Sequence, residues 1–419
     1  MSYSLWEKIK FGDMYEISSR NGLTRPSAVR GKGFKMVNMG ELFANDRIDD
    51  IPMERVLLND KERVNYKLEN NDLLFARQSI IAEGAGKCSI VIKAPELTCF
   101  ESHIIRVRLK EKMVPMFYYY LFQSDVGKAA LFSIRQQGVQ AGIRGSDLEK
   151  LILPSPKEII KKKIAKILSN YDDLIENNLK QIKLLEEKAR VTYEEWFLRY
   201  RINGKKLDIN IDTGFPIGWD KKPITSFQSF KQDKSKVKEF VGEKRYLATA
   251  DVDKIFIVSD GEKITWENKP SRAQIAPSKN SVWFARMSDT YKVLCFTGED
   301  EVLRGNIVLS SGFAGFKAKN ELCLPFLYCT INSNLFHELK DLYATGATQV
   351  SLNNESMKFI KMIEPDINTI ENFGKVVLPM IKSISTLVKQ NELLKESRDI
   401  LLPRLMTGMI NVENLDIEV

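Results

Sequence analysis

The sequence repeats itself at a fixed spacing. Asn71–Arg77 reads NDLLFAR, and Asn280–Arg286, which begins 209 residues later, reads NSVWFAR. The same offset aligns further identical residues: Ser102 with Ser311, Tyr119 with Tyr328, Ser124 with Ser333, Gln140 with Gln349, Pro156 with Pro365 and Gln181 with Gln390. Agreement on one register over more than a hundred residues indicates a tandem duplication. The chain must therefore fold as two similar units, whose starts Trp6 and Trp219 mark at a slightly different offset of 213.

Each repeat divides into an irregular part and a long helix. In the irregular part, short β-like runs such as Asp72–Ala76 and His103–Arg108 are separated by Gly, Pro and Asn, and short helical stretches follow them. This mixture predicts the α+β class. The predicted boundaries are residues 1–153 and 215–363 for the two α+β domains, 154–200 and 364–408 for the two helices, 201–214 for a linker and 409–419 for a tail.

Both helical segments carry mostly apolar residues at spacings that alternate between four and three. The first seam is Ile164, Leu168, Tyr171, Ile175, Asn178, Ile182, Leu185, Ala189, Thr192 and Trp196, and the second is Phe373, Val377, Met380, Ile384, Leu387, Asn391, Leu394, Arg398, Leu401 and Leu405. A seam of this length predicts a coiled coil, with an ordinary amphipathic core helix as the alternative. We expect the two helices to pair antiparallel as a spacer of about 60 Å, since roughly 40 residues rise about 1.5 Å each.

Two asparagines interrupt this seam, and we place them at equivalent positions of the two helices. A polar residue in a seam costs stability but fixes the register of the helices. We take this role for Asn178 and Asn391 as a hypothesis, with exposure to solvent at a frayed site as its alternative.

The composition restricts the class of protein. Lys and Arg total 63 against 55 acidic residues, and the formal net charge of +8 favours a polyanionic partner such as nucleic acid. No Cys-x-x-Cys pair occurs and the two histidines lack metal-ligand spacing, so reduced thiols and no metal site are expected. His103 lies in an apolar run and is predicted to be a core residue. Without a signal peptide or an apolar run of about 18 residues, we expect a cytoplasmic protein that crosses no membrane.

The sequence lacks the motifs of catalysis. A solitary adenine methyltransferase, the main enzymatic alternative, needs an Asn/Asp-Pro-Pro-aromatic loop, and no such tripeptide occurs. Gly84–Lys87 is similar to a fragment of a phosphate-binding loop, but Ile81 replaces its first glycine and Cys88 follows the lysine, so a turn is predicted. Glu186–Lys188 lies in the coiled-coil stretch, where charged flanking residues are typical. We expect no catalytic activity, and a coiled-coil scaffold without a DNA role is the second alternative.

Several segments resemble the specificity subunits of type I restriction–modification systems. Residues 390–408 (QNELLKESRDILLPRLMTG) are similar to their C-terminal conserved helix, and residues 164–178 with 194–197 are similar to their central conserved helix. Asn71–Arg77 and the pattern Gly138-x-Gln140-x-x-Ile143 resemble their target recognition domains. The resemblance covers nearly the whole chain. In the second repeat the pattern becomes Gly346-x-x-Gln349, one residue longer, as expected if the two halves read different sequences.

The resemblance implies a sequence-specific, non-catalytic subunit of a multisubunit DNA methyltransferase and endonuclease. Each α+β domain would be a target recognition domain that reads one half of a bipartite, asymmetric target in double-stranded DNA. The helices would fix the spacing of the two halves and dock the methyltransferase (modification) subunits. Endonuclease/translocase (restriction) subunits are the remaining expected partners, and no cofactor is expected.

Candidate DNA-contacting residues are those whose side chains can reach base edges or bind phosphates. In the first domain they are Arg20, Arg25, Arg30 and Lys32 in a glycine-rich basic segment, Arg77, Gln78 and Ser79 after a predicted strand, and Gln136, Gln140 and Arg144 in a polar loop. In the second domain they are Lys269, Arg272, Arg286, Ser288, Lys292 and Gln349. Two alternatives stay open, because the basic segment can be a solvated loop and Gln140 and Gln349 can bind the backbone of their own loops.

Overall fold

The computed structural model describes residues 6–79, 84–136, 141–346 and 350–418 and divides the chain into two units. The first unit is Met1–Ile175 with Leu393–Val419, and the second is Glu176–Glu392. Each unit therefore holds one α+β domain together with one end of each long helix. The finer domain boundaries given above stay predictions.

The first unit combines short helices with sheets. Its strands are β1 (Glu7–Lys10), β2 (Tyr15–Asn21), β3 (Arg30–Val37), β4 (Arg47–Ile48), β5 (Glu54–Val56), β6 (Leu73–Ala76), β7 (Gln78–Ser79), β8 (Cys88–Val91), β9 (Thr98–Phe100), β10 (Ile104–Leu109), β11 (Ala141–Gly142) and β12 (Ile152–Ser155). Its helices are α1 (Met39–Ala44), α2 (Asp60–Asn65), α3 (Pro115–Gln123), α4 (Asp125–Ser133) and α5 (Gly145–Leu148). The long helix α6 (Glu158–Tyr193) begins in this unit and ends in the second, in a π-helical turn at Glu194–Leu198.

The central sheet of the first unit has the strand order β2–β10–β6–β8–β4. Strand β6 is buried on both faces, and its side chains alternate between two cores as strand geometry requires. Leu73 and Phe75 pack in the cluster that contains α3, whereas Leu74 and Ala76 pack with Phe100 of the smaller sheet β5–β3–β9. The run LLFA reads as continuously apolar because both of its faces are covered.

The second unit has the same plan. Its strands are β13 (Arg201–Ile202), β14 (Lys205–Lys206), β15 (Asp220–Pro223), β16 (Phe230–Gln232), β17 (Lys244–Leu247), β18 (Val252–Asp253), β19 (Phe256–Ile257), β20 (Glu262–Ile264), β21 (Ala273–Ile275), β22 (Ser281–Ala285), β23 (Val293–Phe296), β24 (Ile307–Ser310), β25 (Phe313–Ala318) and β26 (Lys361–Glu364). Its helices are α7 (Glu301–Asn306), α8 (Leu324–Asn332) and α9 (Asn334–Leu342), and the long helix α10 (Ile367–Met406) begins here and ends in the first unit. The central sheet has the order β16–β25–β22–β23.

The internal repeat predicted from the sequence is confirmed at the level of single elements. The bounds of α3 and α8, of α4 and α9, of β10 and β25, and of β12 and β26 all differ by 209 residues. The first strands β1 and β15 differ by 213, as the tryptophans Trp6 and Trp219 do. The change of offset therefore lies between the first strand and the centre of the sheet.

The two long helices are antiparallel within each unit. In the first unit Ile164 and Leu168 share a buried cluster with Leu405, and Asp172 binds Arg398. In the second unit Asn178 of α6 binds Asn391 of α10, and Trp196, in the turn that ends α6, packs against Phe373 of α10, so the pairing is again antiparallel. The predicted seam is confirmed, since every seam residue is buried or half-buried, whereas four off-seam leucines of the two helices are exposed: Leu174, Leu179, Leu184 and Leu393.

Asn178 and Asn391 face each other in the second unit. Both are buried, and the Nδ2 group of Asn178 donates a hydrogen bond of 2.9 Å to Oδ1 of Asn391. Exposure at a frayed site, the alternative for these residues, is wrong. Their predicted equivalence is also wrong, because the 209-residue offset aligns Asn178 with Leu387. The two amides meet because the helices are antiparallel.

Two other expectations take a different form in the structure. His103 was predicted to be a core residue but lies exposed in the turn before β10, where Nδ1 is 3.0 Å from Oε2 of Glu101. The apolar run begins one residue later, at Ile104. The segment 201–214 contains the hairpin β13–β14, whose turn residues Asn203 and Gly204 both have positive φ.

Candidate nucleic-acid interface

A corner of the first unit joins three of the segments that carry candidate residues. Strand β7 pairs antiparallel with β11, so that Gln78 lies opposite Gly142 and Ser79 opposite Ala141. The backbone N–H of Ile143 donates to the carbonyl of Arg77 at 2.9 Å, which continues the pairing. Because Gln136 also bridges to Gly142, the structure brings these three chain segments together.

The second unit builds an equivalent corner from equivalent residues. The N–H of Leu352 donates to the carbonyl of Arg286 at 2.9 Å, and that of Ser288 donates to Val350 at 3.0 Å. Thr345 and Ser351 exchange backbone hydrogen bonds of 3.0 Å. Each participant lies 209 residues after a member of the first corner, Val350 after Ala141 included, so the duplication has preserved this pairing pattern in both units.

The first corner presents polar side chains. Gln78 and Ser79 are half-buried, whereas Gln136 and Arg144 are exposed. The amide Nε2 of Gln136 is 3.4 Å from Oδ2 of Asp147, a long contact that leaves most of the amide to other partners. This edge offers amide, hydroxyl and guanidinium groups of the kind that read base edges. Gln140, a further candidate, lies outside the described residues.

The second corner uses its arginine differently. The guanidinium of Arg286 donates to the carbonyls of Phe313 and Leu352, both at 3.0 Å, and to Oδ1 of Asn354 at 2.9 Å. Burial lowers the pKa of Arg286. The side chain thus holds two backbone segments of the corner together, and its assignment as a DNA contact stays a prediction. Gln349 lies outside the described residues.

The remaining basic candidates of the second unit have different surroundings. The Nζ atom of Lys269 is 5.0 Å from the ring centroid of Trp266, a cation–π contact. Arg272 is exposed, and Lys292 donates to the carbonyl of Thr249 at 2.8 Å. Arg272 therefore presents its charge to solvent, whereas the ammonium of Lys292 fixes a neighbouring loop.

The basic segment of the first unit is interleaved with acidic partners. Arg25 forms an ion pair of 2.6 Å with Glu62, and Arg30 forms one of 2.5 Å with Glu54. The hydrogen bond from Arg25 lowers the pKa of Glu62. Arg20 is exposed beside the ring of Tyr66 at 5.4 Å, and Lys32 is exposed on β3. Two of the four charges are thus neutralised locally, and all four stay predicted DNA contacts.

The structure also contains functional candidates that sequence reasoning missed. Lys340 on α9 is fully buried and donates to carbonyls in the loop that carries Ser288. The sequence repeat could have indicated Lys340, since the 209-residue offset aligns this lysine with the apolar Leu131. Asp172, buried where α6 meets the first domain, was read only as part of a helix motif.

The lysine of the segment Gly84–Lys87, which is similar to a phosphate-binding loop, binds protein groups. The Nζ atom of Lys87 donates to the carbonyl of Phe43 at 2.6 Å and lies 3.0 Å from Oδ1 of Asp46. Gly86 has a positive φ within a turn, as predicted for this segment. Among the described residues, no helix is long and apolar enough to cross a membrane.

Comparison with known proteins identifies a known domain in the first part of the chain. Residues 3–187 match the profile of the type I restriction modification DNA specificity domain. The MjaIX specificity subunit of Methanocaldococcus jannaschii is 24% identical over 73% of this chain and 71% of its own length. The putative MjaX specificity subunit of the same organism is 22% identical over 97% of this chain and 94% of its own length.

The first repeat thus carries a type I restriction modification DNA specificity domain, and the chain as a whole is similar to type I specificity subunits.

A solved structure supports the assignment of the fold. The S subunit of a type I system from M. genitalium matches this chain with a TM-score of 0.58. The match covers 96% of each chain at 15% sequence identity. The predicted architecture, two α+β domains each followed by a long helix, is thereby confirmed for this chain.

Proposed function

We propose that this chain is a type I specificity subunit that reads a bipartite, asymmetric sequence in double-stranded DNA, with one α+β domain for each half. The single observation that carries the proposal is the duplicated corner, in which Arg77 to Ile143 and Arg286 to Leu352 share one backbone hydrogen-bonding pattern. The two corners keep the backbone but differ in side chains. A shared frame with different side chains is what two domains need to read different bases.

The partners follow from the same proposal. The subunit itself catalyses nothing, and it docks methyltransferase (modification) and endonuclease (restriction) subunits through its helix pair. The net charge of +8 favours the polyanionic DNA. Since the chromosome and invading DNA are met in the cytoplasm, that compartment is part of the proposal.

The test is the methylation pattern that the subunit imposes. The chain is co-expressed with its methyltransferase subunit in a host without that activity, and methylated adenines are mapped over the genome by single-molecule sequencing. We expect modification at one bipartite, asymmetric motif with a fixed gap. An assembled, active complex that methylates without a motif would contradict the proposal and favour the scaffold alternative.

A domain exchange assigns each half. Replacement of residues 1–153 by the corresponding domain of another specificity subunit should change one half of the motif, and replacement of 215–363 should change the other. The reciprocal exchange is the control, because a general loss of activity would affect both halves. If either exchange changed both halves, the assignment of one domain to one half would be wrong.

A further inference from the structure

The loop after β22 is held from below by the end of helix α9. Lys340 donates from Nζ to the carbonyl of Met287 at 2.7 Å and to that of Thr290 at 2.8 Å. The carboxylate of Asp341 accepts from the backbone N–H of Asp289 at 3.2 Å. Adjacent residues of one helix thus bind three backbone groups within four residues of a loop that contains Ser288.

These hydrogen bonds hold the loop in a backbone conformation that is unfavourable without them. Asp289 has a φ of +54°, in the left-handed region that residues with a side chain adopt at a cost. The loop is also anchored from its other side, since the N–H of Ser288 donates to Val350 in the corner described above. The contacts therefore fix both the shape of the loop and its position at the corner.

A stabilising role alone does not explain a lysine at this position. The side chain of Lys340 is fully buried, and a buried ammonium is unfavourable unless it is paired and hydrogen-bonded. Its third partner is Asp341, at 3.2 Å. An apolar residue fills the equivalent place in the first unit, where Leu131 is buried in the core. The lysine adds directional hydrogen bonds to the loop that packing cannot supply.

We propose that Lys340 and Asp341 are positioning residues that hold Met287–Thr290 in the shape with which the second domain reads its half of the target. This inference rests on the proposed function. The two residues act through the loop and do not themselves contact DNA. The first unit has Leu131 and the exposed Phe132 at the equivalent positions, so it lacks this pair. The two domains consequently fix their reading loops by different means.

The experiment measures discrimination in each half of the target separately. Complexes of the chain with its methyltransferase subunit are purified with wild-type, Lys340→Met or Asp341→Ala chains. Their Kd values are measured for the target duplex and for duplexes that carry one base change in either half. We expect discrimination in the second half to fall by about tenfold in Lys340→Met and by a smaller factor in Asp341→Ala. Discrimination in the first half should not change.

Three further variants separate positioning from stability. Lys340→Arg keeps a charged donor and should recover part of the lost discrimination. Ile331→Ala removes buried apolar contacts on α8 in the same unit and should lower thermal stability without changing discrimination. Leu131→Met is the matched change in the first unit and should leave both halves as they are.

The outcomes distinguish this inference from the function on which it rests. A wild-type complex without any preferred sequence contradicts the proposed function. A wild-type complex with a bipartite target, combined with normal second-half discrimination in Lys340→Met and Asp341→Ala, overturns the positioning role alone. If Lys340→Met does not fold, normal discrimination in Asp341→Ala overturns it. Equal loss in both halves also overturns it, because the effect would then be general.

Discussion

The two units differ in chemistry at one equivalent place where a domain contacts the helix pair. In the first unit, Asp172 of α6 accepts hydrogen bonds of 2.6 Å both from the hydroxyl of Tyr120 and from Nη1 of Arg398. Arg47 of β4 approaches to 4.0 Å and binds the neighbouring Asp173 at 2.6 Å. The contact between domain and helices is therefore a network of charges and a phenol, and Asp172 at its centre is buried.

The second unit has apolar residues at the same places. The 209-residue offset aligns Asp172 with Ile381, Tyr120 with Cys329 and Arg398 with Ala189. All three residues of the second unit are buried in its hydrophobic core cluster.

The difference shows that the same backbone fold can join a domain to the helices by a charge network or by apolar packing, and that these two contacts tolerate substitution to different degrees. Apolar packing is non-directional and accepts changes that keep volume. A buried charge network is satisfied in one geometry and fails when one partner is removed. We expect the contact in the first unit to be the more specific of the two and that in the second to be the more tolerant.

The largest effect is expected from a substitution that introduces a charge at the apolar place in the second unit. Ile381 is 3% exposed, and the apolar Ala189 occupies the place that corresponds to Arg398. Ile381→Asp should lower the free energy of unfolding by about 4–5 kcal/mol. Chemical denaturation measures the loss, with Ile381→Val as a control that should cost about 1 kcal/mol. A loss for Ile381→Asp no larger than that of the control would show that the site admits water.

Removal of the central carboxylate tests the first unit. Asp172→Ala leaves Tyr120 and Arg398 without their shared acceptor, and we expect a loss of about 2–4 kcal/mol, since Arg398 is partly exposed and keeps Asp399. The matched control is Asp173→Ala, an exposed carboxylate one residue away, which should cost less than about 1 kcal/mol. Similar losses for both would mean that burial of the network has no energetic consequence.

Acid should affect the second unit through His337. Burial lowers the pKa of this histidine from 6.5 to about 4, and the equivalent residue of the first unit is the exposed Lys128. The unfolded chain therefore takes up a proton before the folded chain does as pH falls. The contribution of the neutral His337 to the free energy of unfolding is fully present above about pH 6.5 and is lost progressively as the pH falls towards 4. At pH 5 the loss should be about 1–2 kcal/mol.

The measurement compares the denaturation midpoints at pH 7 and pH 5 for wild type and His337→Gln. The variant should show a smaller difference between the two pH values, whatever its stability at pH 7. An unchanged difference would assign the acid sensitivity to carboxylates instead.

The smallest effect on stability is expected when the charged residues of the first unit are replaced by apolar residues like those at the equivalent places of the second unit. The triple variant Tyr120→Phe, Asp172→Ile and Arg398→Ala replaces the network by apolar groups. Exchange of a buried ion pair for apolar residues is often close to neutral, so we expect stability within about 1–2 kcal/mol of wild type and well above that of Asp172→Ala. A triple variant less stable than Asp172→Ala would show that the fold of the first unit requires the network itself.

The sequence predicted those features that rest on periodicity. The duplication, the α+β class, the heptad seams and the antiparallel pairing all follow from spacings along the chain, and they are confirmed. His103 was misplaced because an apolar run does not show at which residue its strand begins. The contact between Asp172 and Arg398 spans 226 positions, and no local pattern connects the two residues.

The candidate site was predicted less completely. The sequence identified the segments that form both corners, because each follows a strand or carries glycine and polar residues. It did not show that the guanidinium of Arg286 faces inward to backbone carbonyls, nor that Lys340 lies beneath the reading loop. Those facts depend on which carbonyls remain unpaired after folding, and this is decided by tertiary packing.

The amide pair of Asn178 and Asn391 has a consequence for any engineer who wishes to lengthen the spacer. The hydrogen bond between the two amides fixes the register of the helices, so the length of one helix cannot be changed without the same change in the other. Seven residues inserted into α6 ahead of Asn178 need seven more in α10 beyond Asn391, because those two stretches run side by side in opposite directions. An unmatched insertion would leave one amide against apolar neighbours, and permissible spacer lengths should therefore come in discrete, paired steps.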